Sequence, residues 1–422
     1  MTVPPVAYLT DVEGMWEKLA SFARANPLVW WDDAGRLVVA PGAVFVYGGD
    51  AIDRGPHGRR VVATLLEAKR RQPEQVILLA GNRDINKLRL PRELDGHPPH
   101  RTPEDVRSGP RPALLRWIFQ HTMGAPGAFD FRRDELAAER GSARTDVDER
   151  DVVDGFLADL GPGGALRAYL SQCQLAYRAG RTLFVHGGLS EVSLGHVPGR
   201  TPPPSRLDDV DVDAWIVSLN HWYGEQMHEF DAGHVAAGGT PTWQPLIAYQ
   251  APTPGARLNP GSVVYGRSVD DHNNLRLPAA PVIATLLRAG ISRAVVGHTP
   301  SGDSPSLGRL GGFQMICADN SHARHDQGSR VWLDDAALRI LASTRLDGDL
   351  PGAPLHNVRL TLAAYGDDDS PLGLRTRAAG RLVRGVLDDG ALLTYRALPD
   401  WKTEQLATPP EHLPPDALEP PT

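Results

Sequence analysis

Cysteine occurs only twice in 422 residues, at Cys173 and Cys317. Both fall in apolar segments, so two inert buried thiols are expected in preference to a disulfide or a cysteine-based zinc site. Lysine is nearly as scarce: Lys18, Lys69, Lys87 and Lys402 are the whole complement, and arginine carries the rest of the positive charge. That bias reads as genome composition rather than chemistry. Excess positive charge is also missing, since the formal net charge is -7 and the pI is near 6.1. Nothing therefore draws the chain to polyanions in general, and nucleic acid is not an expected partner. No stretch approaches the roughly 20 apolar residues that cross a bilayer. The opening MTVPPVAYLT has neither the basic nor the apolar part of a signal peptide. The expectation is a cytoplasmic protein with no membrane partner, long enough to bury a core without staples.

Short apolar, β-branched runs recur at 6 to 10, 44 to 48, 76 to 80, 182 to 187, 294 to 297 and 314 to 318. Runs of this length bounded by glycine and polar residues predict buried strands. Helical patterns lie between the early ones, at 14 to 25 and 57 to 71, so the chain reads as an α/β sheet with crossover connections. Two long interruptions, about 92 to 180 and about 196 to 262, read as insertions that cap a site, with 94 to 112 expected to be mobile. The main domain then spans 1 to 345. A C-terminal β extension follows at 346 to 407, with a hairpin at Asp388-Asp389-Gly390, and 408 to 422 is Pro- and acid-rich enough to be a disordered tail.

In such sheets, chemistry gathers where strands end. The first strand is followed by Asp11-Val12-Glu13-Gly14, the second by Gly49-Asp50-Ala51-Ile52-Asp53-Arg54-Gly55, and the third by Gly81-Asn82-Arg83-Asp84. Later strands deliver His186 in VHGGLS and His298 in GHTP. Any one of these alone reads as a cap or a turn residue. Five in order, each at a strand end, form an N/O donor set suited to divalent metals. The order resembles that of the calcineurin-like metallophosphoesterases, and within them the phosphoprotein phosphatase branch that contains bacterial diadenosine tetraphosphatases. That branch reads GDxHG, GDxxDRG, GNHE, HGG and GH(T). The resemblance covers about 6 to 320 without the insertions.

The resemblance implies a β-sandwich flanked by helices (α/β/β/α) and two divalent metal ions. Asp50 would bridge them, Asp11 and Glu13 would complete one site, and Asn82, His186 and His298 the other. Pro300 stands where other branches carry a second histidine. Arg54 and Arg267 resemble the phosphate-binding arginines, which suits a planar, permanently charged fork; a salt bridge for Arg54 and a surface position for Arg267 are the alternatives.

Two positions depart from the pattern. Glu13 replaces histidine, which leans the first site toward Mn²⁺ or Mg²⁺ and away from Zn²⁺; Mn²⁺ is the expected ion, with Mg²⁺, Fe or Zn²⁺ as alternatives, and the other reading of Glu13 is that it only caps a helix. Arg83 replaces the histidine that, oriented by the aspartate matching Asp53, protonates the leaving oxygen. Arginine cannot serve as that acid, so Asp53 and Arg83 are expected to form an ion pair, with Arg83 stabilising substrate charge. The expected function is a metal-dependent phosphatase. Its substrate is expected to be a phosphorylated small molecule, nucleotide or phosphopeptide. The alternatives are a nucleotide or dinucleoside polyphosphate hydrolase, with Trp222, Tyr223 and Trp243 stacking a base, and a degenerate binding module.

Overall fold

The computed structural model describes residues 3–363 and 369–422. Three parallel strands, β1 (Val6–Leu9), β2 (Val44–Tyr47) and β3 (Val76–Leu79), lie side by side. Helices α1 (Trp16–Ala25) and α2 (Gly58–Arg71) connect them. A second sheet is built around β4 (Thr182–Val185), β5 (Arg293–Val296) and β6 (Phe313–Cys317), again parallel. The first sheet then continues through antiparallel β7 (Arg330–Leu333), β8 (Ala337–Thr344), β9 (His356–Ala363), β10 (Leu382–Leu387), β11 (Leu392–Ala397) and β12 (Thr403–Thr408), in the order β12-β11-β10-β9-β8-β7-β1-β2-β3.

Alternation along each strand explains the layering. Val6, Tyr8, Val44 and Val46 face the second sheet and meet Phe184, Val295 and Ile316 in one apolar layer. Tyr8 stacks on Phe184 with ring centroids 5.7 Å apart. Their neighbours Ala7, Leu9, Phe45 and Tyr47 point the other way, into a core shared with Leu19 and Phe22 of α1 and Val61, Val62 and Leu65 of α2. The result is the expected α/β/β/α sandwich. Both cysteines are buried and unbridged. No helix among the described residues is long and apolar enough to cross a membrane.

The first insertion folds mainly as helices α4 (Arg111–His121), α5 (Ala128–Arg140) and α6 (Glu149–Leu160), after the short α3 (Asn82–Asn86). The tract from 94 to 112 holds a helical turn at Glu104–Arg107 and leads into α4. The second insertion holds α7 (Val212–Ala232) and α8 (Gln244–Tyr249). Trp222, Tyr223 and Trp243 are buried in its core, which removes them as base-stacking surfaces. In the stretch after 345, β10 and β11 pair across the Asp388-Asp389-Gly390 turn; residues 364 to 368 lie outside the described residues.

The disordered tail is corrected. Leu418–Glu419 pairs antiparallel with Arg375–Thr376, and Leu418 is buried. Glu419 neutralises Arg375 and Arg377 at 3.0 and 3.1 Å. One apolar side chain with a seat and one carboxylate between two arginines anchor a segment whose composition alone reads as solvated.

Candidate metal and phosphate site

Every parallel strand ends at the same edge, and each delivers a polar residue there. Asp11 follows β1, Asp50 follows β2, Asn82 opens α3 after β3, His186 follows β4 and His298 follows β5. All six sequence-derived donors converge. The ligand atoms of Asp11, Glu13 and Asp50 lie within 4.8 Å of one another, as do those of Asp50, His186 and His298. Asn82 Oδ1 lies 2.8 Å from His298 Nδ1 and 3.3 Å from His186 Nε2.

The backbone is strained to achieve this. Among the described residues, seven other than glycine have positive φ, and five of them are Asp11, Glu13, Asp50, Asp53 and His298. Such conformations cost on the order of 1–3 kcal/mol each and persist where the surroundings overdetermine them. Two close approaches help to fix the loops. A Cβ on Gly81 would lie 2.1 Å from Asp50 Oδ1, and one on Gly297 2.2 Å from Asp11 Oδ2, so neither position admits a side chain without displacing a donor. The buried Asp84 carboxylate completes the frame by accepting from the backbone N–H of Asp50, Ala51 and Gly81 at 2.9, 2.9 and 3.1 Å.

These donors fit divalent cations. His186 Nδ1 donates to the Gly48 carbonyl at 2.7 Å, which leaves Nε2 facing Asp50 Oδ1 at 3.4 Å; a backbone acceptor on the far nitrogen is how metal-binding imidazoles are oriented. His298 Nε2 is buried without a hydrogen-bond partner. Burial opposes charge on His186, yet Asp50 and Asp11 push its pKa up to about 10. His298 is held well below the ordinary value by burial, then by Arg267 and His186. The acidic cluster thus attracts positive charge strongly.

Three arginines frame one side. Arg83 Nε lies 2.5 Å from one Glu13 oxygen and Arg54 Nε 2.9 Å from the other, so Glu13 faces a guanidinium pair as well as Asp11 and Asp50. Burial and these charges leave its pKa at about 7. Burial also works against charge on Arg83, but Glu13, Asp50 and Asp53 outweigh it and hold its pKa above arginine's usual value. Arg267 lines the same cleft, and its Nε is buried without a partner.

The expected Asp53–Arg83 pair is present at 3.8 Å, but Arg83 is not the nearest partner of Asp53. Asp53 Oδ2 is taken by Lys87 Nζ at 2.6 Å, and Arg83 Nη1 stays 3.8 Å away. Lys87 is fully buried and also reaches Asn86 Oδ1 at 2.9 Å and the Arg83 carbonyl at 3.0 Å. It is an ammonium cap on Asp53 that the strand-end pattern does not reveal. Asp319 and His322, just past β6, were missed as well; both line the cleft, and His322 Nε2 contacts Arg54 Nη1. Polar residues following a recognised strand were the available signal. Among nearby histidines, His121 lines the cleft, whereas His57 and His272 do not.

The cleft measures about 510 Å³. One wall is Gln120 to Gly124, at the end of α4 and beyond, and another is Gln250 to Pro252, just past α8, so both insertion stretches border it.

No family model and no curated protein matches the chain. Among solved structures it is similar to the cold-active protein-tyrosine phosphatase of a Shewanella species, at 17% identity over 80% of this chain and 77% of that one, with a TM-score of 0.45. A protein serine/threonine phosphatase from Saccharomyces cerevisiae gives 10% identity, 87% and 82% coverage and a TM-score of 0.37. A metallophosphoesterase from Sphaerobacter thermophilus gives 12%, 79% and 84%, and 0.26.

Proposed function

We propose that the protein is a metal-dependent phosphoesterase acting on phosphate esters with good leaving groups. The observation that carries this reading is Asp50, shared by two sets of ligand atoms and bordered by Arg54, Arg83 and Arg267 in one cleft. Asp11, Glu13 and Asp50 would hold one divalent ion; Asp50, Asn82, His186 and His298 would hold the other, with Mn²⁺ or Mg²⁺ suited to so oxygen-rich a set. When bound, such ions supply Lewis acidity and lower the pKa of water.

The chain's own groups do the rest. Arg267, with a free buried donor, is placed to fix a phosphoryl oxygen, and Arg54 and Arg83 offset the charge that develops on the others. Glu13 orients both of these arginines at once. Arg83 keeps its proton, and Asp53 is held between Lys87 and Arg83, so this pair supplies no acid to the leaving oxygen. His322 does not fill the gap, because burial and Arg54 lower its pKa to about 4 and leave it neutral near pH 7. Substrates whose leaving oxygen is already stable as an anion therefore suit the site.

The test is hydrolysis of p-nitrophenyl phosphate by chelator-treated protein before and after Mn²⁺ addition, beside Asp50→Asn. Metal-dependent turnover that the substitution abolishes supports the reading. No turnover with any divalent metal favours a binding module.

A further inference from the structure

A second cavity of about 410 Å³ adjoins the first, and the two share Pro300 and His322 in their walls. Pro300 lies two residues beyond the donor His298, and His322 touches Arg54, so the common rim runs along the phosphate end of the first cleft. The far wall comes from the β extension, through Tyr395 of β11 and Lys402 just before β12.

This wall is fixed to the catalytic loops. Arg384 of β10 is fully buried and donates to the Ser301 carbonyl, to the Ser304 carbonyl at 2.8 Å and to Ser306 Oγ at 2.6 Å. Its guanidinium lies 3.2 Å from the centroid of the Tyr395 ring. These contacts join the loop after His298 to the β extension, and with it the walls of the two cavities.

Its charge is one-sided. Asp303 is the acid in its wall, and that carboxylate is spent internally: it accepts from Arg324 N and Nε at 2.7 and 3.1 Å, Arg345 N at 3.0 Å and Gln405 Nε2 at 2.9 Å. Lys402 is exposed and lines the same cavity. The other three lysines are committed, Lys18 to the Asn320 carbonyl, Lys69 to that of Pro73 and Lys87 to Asp53. Lys402 has no side-chain hydrogen bond or ion pair among the described residues, and His272 stands beside it in the wall.

We infer that this second cavity is a subsite for a second phosphate, so that the preferred substrates are small molecules bearing two phosphate groups, one cleaved at the metal cleft and one held at Lys402. The identity of the cleaved group rests on the phosphoesterase reading; the subsite itself does not. Two tethered anions bind with an advantage set by how well the tether spans the sites. The probes are α,ω-alkanebisphosphonates of increasing length and the monophosphonates of equal length, with binding followed by calorimetry at saturating Mn²⁺.

At the matching length the bisphosphonate binds about 10-fold or more tighter than its monophosphonate, a charged contact beyond the statistical factor of about 2. Lys402→Ala brings that ratio down toward the statistical value, and Lys402→Arg keeps it. A ratio near 2 at every length in the unmodified protein, or one that Lys402→Ala leaves unchanged, overturns the subsite. Turnover of p-nitrophenyl phosphate by the same sample reports separately on the phosphoesterase reading. An intact ratio without turnover supports the anion subsite while removing the reaction, and turnover with a flat ratio does the reverse.

Discussion

Lys87→Met tests the buried ammonium at the centre of the site. The substitution removes a fully buried charge whose partner, Asp53, lies 2.6 Å away and is itself buried. Breaking such a pair from one side typically costs about 3–5 kcal/mol, because the remaining charge loses its compensation. Arg83 Nη1 at 3.8 Å offers Asp53 a second partner, which places the expected loss near the lower end, at about 3 kcal/mol. Turning to Asp53 draws Arg83 off Glu13, so turnover falls together with stability. Asp53→Asn alone leaves Lys87 with Asn86 Oδ1 and the Arg83 carbonyl, and removing both charges at once recovers much of the loss. The assay is urea unfolding of the two single variants and the double. A loss below about 1 kcal/mol for Lys87→Met, or a double variant no more stable than the sum of the singles, would refute the ion pair as described.

Three further outcomes follow from the site. Across aryl and alkyl phosphates of graded leaving-group pKa, the rate should fall steeply as that pKa rises, and Arg83→His should flatten the trend; a flat profile in the unmodified enzyme means that another acid is present. Arg267→Ala should raise KM for p-nitrophenyl phosphate by about 10-fold or more with little change in unfolding, since its Nε has no partner to lose, and an unchanged KM would place it outside the phosphate site. Gly81→Ala should weaken Mn²⁺ binding, read by calorimetry, because its Cβ would sit 2.1 Å from Asp50 Oδ1; unaltered affinity would show that the loop yields freely.

The sandwich was legible because buried strands leave a local signature: apolar, β-branched runs that end in a glycine and a polar residue. The same rule, with the resemblance for Glu13, pointed to six residues that meet at one edge of the fold. It failed where the physics is not local. Lys87 sits four residues beyond Arg83 in a helical stretch, and only the fold brings it under Asp53 from the preceding strand's loop. Asp319 and His322 also follow a strand, but they lie beyond the last motif, which contains His298. Arg384 reads as an ordinary strand arginine, and its burial against Ser301 to Ser306 depends on how the extension docks. The tail misled because composition weighs proline and acid, while one leucine and one glutamate decide its place.

The central claim is that Asp50 joins two metal sites into one phosphoesterase centre. The most direct measurement is p-nitrophenyl phosphate turnover by chelator-stripped protein titrated with Mn²⁺, with bound metal counted in the same samples. The account predicts no turnover without metal, a rise that saturates at two ions per chain, and loss of both bound metal and turnover in Asp50→Asn. Full activity in the stripped protein, or two ions retained by Asp50→Asn, would contradict it.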